Sequence, residues 1–207
     1  MVNKIKQTGI GLIELMIAIL IGLLLMAGAI SALVTTIGSN ADNIRMIRLE
    51  QDLRAVMSLV TRELQLAGSW RGAVNNVLVN APLLDNNYPS VPVVNGNCIT
   101  FAYGTDDDDV LDANESFGFR LSGNRIEYHQ NAGVPDCGAG AAWQPLTVTD
   151  AMTQIDTFTP VVTEGVRVTD VTIVLSGRTW LTGDDNANTA SWSAVRTLNK
   201  TIRIRNN

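Results

Sequence analysis

Histidine occurs once in this sequence, as His129, and cysteine twice, as Cys98 and Cys137. A single imidazole excludes metal sites built on several histidines. The two cysteines lie far apart and form no CxxC pair, so a redox or zinc motif is unsupported. No serine or cysteine stands in a motif with a base, which leaves nucleophilic catalysis without a candidate set, and no enzyme is expected. Positive charge is scarce too: 15 Lys and Arg against 20 Asp and Glu give a formal net charge of −5. That balance excludes nucleic-acid binding through a basic surface. Proline is missing until Pro82, so nothing earlier in the chain forces a helix to break.

What is abundant is apolar sequence at the N-terminus. Leu15 to Ile37 is a run of 23 uncharged residues. As a helix it would span roughly 35 Å, enough to cross a bilayer core. Lys4 and Lys6 precede it, which by the positive-inside rule keeps the short N-terminus in the cytoplasm and exports the C-terminal part of the chain. A secretory signal peptide has the same order of charge and apolar core, and Gly28-Ala29-Ile30-Ser31-Ala32 would serve as its cleavage site. Two features weigh against that. Glu14 places a carboxylate at the cytoplasmic edge of the apolar run Ile10 to Met26, where insertion costs on the order of 2.5–3.5 kcal/mol and calls for a partner. Helical patterning also continues past the apolar run. Leu49, Leu53, Val56, Val60, Leu64 and Ala67 recur at spacings of three and four, with Arg45, Arg48, Glu50, Asp52, Arg54 and Arg62 between them. The pattern predicts one helix over 10–67, roughly 85 Å long.

Gly9-Ile10-Gly11-Leu12-Ile13-Glu14-Leu15-Met16 resembles the cleavage signal of type IV prepilins. The resemblance implies that a prepilin peptidase cuts between Gly9 and Ile10 and that the new N-terminus, Ile10, is methylated. Residues 1–9 are then a leader, and Glu14 takes the position of the family's acidic residue. Loss of Lys4 and Lys6 takes the formal side-chain charge from −5 to −7. Three departures stand out: Ile10 where phenylalanine is usual, Gly11 where threonine is common, and Ser31 where shaft-forming pilins carry a helix-breaking proline. The last implies that this is not the bulk subunit of a filament. The physics of Glu14 agrees with an assembly role. The free amine of Ile10 carries a positive charge near neutral pH and can pair with Glu14 of a neighbouring subunit, removing two lone charges from an apolar core. The small residues Gly22, Ala27, Gly28, Ala29 and Ala32 would let helices approach closely, or are ordinary membrane-helix filler.

From Gly68 onward the period changes to two. Phe117, Phe119 and Leu121 alternate with polar residues, Gly123-Asn124 forms a two-residue turn read as type II′, and Ile126 and Tyr128 alternate with Glu127 and His129. His129 therefore reads as a surface residue on a polar strand face. Ile99–Tyr103, Arg167–Leu175 and Leu198–Ile204 read as further strands. The expected fold is α+β: a long helix, membrane-spanning to about residue 37, with an antiparallel sheet over 68–207 resting on the stripe from Leu49 to Ala67. Arg62-Glu63-Leu64-Gln65-Leu66-Ala67-Gly68 with Arg71-Gly72, and the terminal Ile202-Arg203-Ile204-Arg205-Asn206, resemble segments of PilW-type minor pilins. That resemblance implies a minor pilin that helps initiate or cap a type IV pilus. Its implied partners are other pilins, the prepilin peptidase and the inner-membrane assembly machinery. It would be made as a single-pass inner-membrane precursor with a periplasmic domain, then carried to the cell surface. The related J-type pseudopilin of type II secretion is the alternative.

Cys98 and Cys137 fall in the part expected outside the cytoplasm, which favours one disulfide over two buried thiols; it would close a loop of about forty residues and stabilise by on the order of 3–4 kcal/mol. No cofactor is expected. Asp106-Asp107-Asp108-Asp109 with Asp112 offers clustered oxygens to calcium, with Asp106, Asp108 and Asp112 the candidate ligands, but it fails the EF-hand spacing and reads better as a solvated loop. Asp184-Asp185-Asn186-Ala187-Asn188 fails likewise. Trp143, Trp180 and Trp192 are core or partner-facing. The polar stretches Ala73–Asn97 and Gly177–Ser191, read as loops, leave room for an adhesive module that binds a surface ligand.

Overall fold

The computed structural model describes residues 11–70, 86–88, 91–106, 110–130, 137, 143–147, 153–165, 168–181 and 194–204. It divides into two compact units, Met1–Asn43 and Ile44–Asn207.

Helix α1, Leu12–Leu66, supplies all the described regular structure of the first unit. It begins as Gly11 accepts hydrogen bonds from the amides of Glu14 (3.0 Å) and Leu15 (3.2 Å). Its large side chains from Leu12 to Ile37 are exposed throughout. Polar residues within the stretch silence their own hydroxyls, Thr35 Oγ1 donating to the Ser31 carbonyl and Thr36 Oγ1 to that of Ala32. This is the usual way such side chains are tolerated inside apolar helices.

In the second unit α1 presents Leu49, Leu53, Val56, Met57, Val60 and Leu64 as a buried stripe, at the predicted spacings. It ends at Gly68, whose φ of +73° suits a left-handed stop and whose amide bonds to the Ala102 carbonyl. The stripe packs in one core with residues of two antiparallel sheets. The first contains β1 (Val93–Asn95), β2 (Cys98–Ala102), β3 (Ser116–Ser122), β4 (Arg125–Gln130) and β5 (Gln144–Pro145), in that spatial order. The second contains β6 (Thr153–Glu164), β7 (Thr169–Thr179) and β8 (Ala194–Ile204). Phe101, Phe117 and Phe119 fill the core from the first sheet, while Ile173, Leu175, Ile202 and Ile204 fill it from the second. A long helix on antiparallel sheet is the α+β pilin fold.

Several expectations need correction. The sheet is split in two. β6 is absent from the expected strands, because its apolar residues do not hold a strict period of two and its register shifts between Ile155 and Thr157. Val93–Asn95 is a strand, and Gly177 to Thr179 belong to β7, so neither falls in a loop. The β3–β4 turn has positive φ at both Gly123 (+56°) and Asn124 (+63°), which makes it type I′ rather than II′. His129 is fully buried rather than on the surface, because the face it shares with Glu127 is covered too.

Candidate functional site

Glu14 is the acidic residue of the first helical turn and stands exposed among exposed apolar side chains. A carboxylate there is favourably placed against the positive end of the helix dipole. Gly9 and Ile10, the expected cleavage pair, lie outside the described residues. A Cβ added at Gly22 or Gly28 would meet nothing within 4 Å. Their small size thus relieves no contact inside the chain. The helix is long and apolar enough to cross a membrane.

The globular unit satisfies its buried carboxylates with ion pairs and with neutral hydrogen-bond donors. The Tyr103 hydroxyl donates to Glu63 (2.7 Å), which Arg62 also engages (2.8 Å), fastening the helix to the residue that succeeds β2. Burial, then this hydrogen bond, pushes the Tyr103 hydroxyl well above the usual tyrosine range. Glu115, wholly buried, accepts from the Tyr88 hydroxyl (2.6 Å) and the amides of Thr105 (2.6 Å) and Asp112 (3.1 Å). Burial pushes its carboxyl up, but these donors together outweigh that and hold it below the ordinary value. Glu127 pairs with Arg120 (2.8 Å) and Arg125 (3.0 Å).

On the outer face of the β3–β4 hairpin, Arg120 stacks 4.4 Å from the centre of the Trp143 ring. His129 lies against the same ring at 5.3 Å. Gly118 makes this possible, since a Cβ there would stand 3.0 Å from the indole. Both His129 nitrogens and the Trp143 Nε1 are buried with no hydrogen-bond partner among the described residues. Burial first, then the Arg120 charge, lowers the His129 basicity. Cys98 and Cys137 are joined by a disulfide with Cα atoms 6.0 Å apart. Arg120 donates to the Cys137 carbonyl at 3.2 Å. This covered face escaped the sequence reading. A glycine inside a strand, Gly118, directly opposite His129 across the hairpin, was the available signal.

The hydroxyls of Tyr88 and Thr105 donate to Glu115 and that of Tyr103 donates to Glu63, where they satisfy buried carboxylates. No group of three or more His, Cys, Asp or Glu among the described residues is placed to hold a metal ion. Of the calcium candidates, Asp108 lies outside the described residues, and the amides of Asp106 and Asp112 bond to Glu115. Trp180 is half-buried and Trp192 lies outside the described residues.

Residues 42–204 match a family described as prepilin peptidase-dependent protein B, and residues 4–30 match the prokaryotic N-terminal methylation motif. No curated protein and no solved structure matches the chain. The two families describe a pilin-like structural protein that depends on prepilin peptidase, and the motif together with the apolar helix fits an inner-membrane anchor.

Proposed function

We propose that this chain, which belongs to the family of prepilin peptidase-dependent protein B, works as a minor pilin that helps to initiate or cap a type IV pilus. In this reading the peptidase cuts between Gly9 and Ile10, and Ile10 is methylated. Glu14 then pairs with the N-terminal amine of a neighbouring subunit inside the filament. The observation that carries the proposal is the helix from Leu12 to Ile37, apolar, exposed along its whole length and bearing one carboxylate in its first turn. Such a surface is unstable in water and needs either lipid or other helices around it. The absence of proline from the helix keeps its backbone hydrogen bonds whole and favours a minor role over the shaft. The short matches to PilW-type segments support the same choice.

The test is the intact mass of the protein in sheared surface filaments compared with the membrane fraction. A chain beginning at Ile10 in the filaments is the expected result. A processed chain confined to membranes would transfer the assignment to the pseudopilin of type II secretion. An uncut chain would leave only a membrane anchor.

A further inference from the structure

The β6–β7–β8 sheet has two outer edges, and they are built differently. The β6 edge is blunted: it contains Pro160, its register shifts between Ile155 and Thr157, and the Ile155 amide is spent on the Asn124 carbonyl. Those are the devices by which proteins stop an edge from recruiting another strand. β8 lacks all three and carries instead the cations Arg196, Lys200 and Arg203, which discourage a strand of like charge but not an acidic one. All eleven of its residues pair with β7 in unbroken register, from Thr169↔Ile204 to Thr179↔Ala194, with no proline, glycine or bulge. Beyond β7, its backbone makes no hydrogen bond among the described residues.

Side chains beside this edge form a receptor for something acidic. Arg196, Leu198 and Lys200 alternate with the outward-facing Thr197 and Asn199. Arg203 is neutralised by Asp170 at 2.9 Å, and Arg196 lies near Glu50 of the helix. Lys200 forms no ion pair among the described residues. A groove of about 300 Å³ runs between α1 and β8, with Met57 and Leu198 as its apolar lining; of its two cations, Arg54 is held by Glu50 at 2.6 Å, which leaves Lys200 for a partner. Strand addition uses such features together, backbone groups for affinity and a side-chain pocket for choice of partner.

We propose that β8 is a docking strand: an extended segment of a different pilin-like subunit adds to its outer edge, places alternate side chains in the groove and sets a carboxylate against Lys200. The β8 of a second copy is the wrong occupant, because that strand, Ala194–Ile204, carries no acidic residue to set against Lys200. The inference rests on the pilin reading above.

The test is a photo-reactive residue at Asn199 of the full-length protein in its native cells, with Val161 on the β6 edge as control. The expected adduct joins Asn199, and not Val161, to an acidic segment of another subunit carrying a prepilin-type N-terminus. Lys200→Glu should lower its yield tenfold or more, and Lys200→Arg should keep it. Equal adducts at both edges, an adduct of two copies of this chain, no adduct, or indifference to Lys200→Glu would each overturn the docking strand. Intact mass of the same samples separates the two ideas: a chain cut at Ile10 and present in filaments without an adduct sinks strand docking alone, whereas an uncut chain sinks both.

Discussion

Glu14 and His129 are polar groups in apolar surroundings, and substitution should affect them in opposite ways. The proposed pairing makes Glu14 an assembly residue, so Glu14→Ala should leave cleavage at Ile10 intact and abolish recovery in sheared filaments. Normal recovery of that variant would refute the pairing. His129 makes no hydrogen bond among the described residues and sits buried beside Arg120. Its folded form therefore takes up a proton only below the ordinary histidine value of 6.5. Between those two values the unfolded chain holds more protons, so stability rises with pH and falls on acidification through about 6.5. His129→Phe should keep the ring contact with Trp143, leave the melting temperature at pH 7 equal or higher, and flatten its decline between pH 7 and about 5. A steeper decline in the variant would refute this account. Glu14 was legible because a lone carboxylate in an apolar run needs a reason. The burial of His129 was not, because alternation along one hairpin reports only one of the two faces that can be covered.

The elements divide in the same way. The stripe from Leu49 to Leu64 could be read directly, since helical spacing over several turns has few alternative explanations. The β3–β4 hairpin was equally plain, but its turn type depends on the backbone angles of two residues, and Gly-Asn is compatible with both primed turns. The observed type I′ geometry carries a prediction. Exchanging the pair, Gly123→Asn with Asn124→Gly, gives the sequence this turn prefers and should raise stability, by up to about 1 kcal/mol in denaturant unfolding. A type II′ turn would instead lose stability, because its first position tolerates little but glycine. The split into two sheets was hidden, since β6 and the short β1 and β5 owe their pairing to neighbouring strands rather than to a pattern of their own.

For the molecule as a whole, the core is closed by residues from its two extremes. Leu49 and Leu53 come early, Ile202 and Ile204 come late, and all four are essentially inaccessible to solvent. A chain truncated after Asn199 keeps α1 and every residue of the prepilin signal, so it should be inserted and cut normally. It loses two buried isoleucines, each removal costing on the order of 2–5 kcal/mol, and should be protease-sensitive where the full chain resists. Survival of the truncated domain under limited proteolysis would overturn this. The same placement has a consequence in time. On the proposed topology the domain crosses the membrane behind α1, and β8 emerges after every strand it packs against. The β7 edge and the core positions of Ile202 and Ile204 stay open until then, so the domain cannot finish folding while translocation is incomplete. On the proposed function, completion of export and competence to join a filament would thus be reached together, and half-exported subunits would stay out of the growing structure.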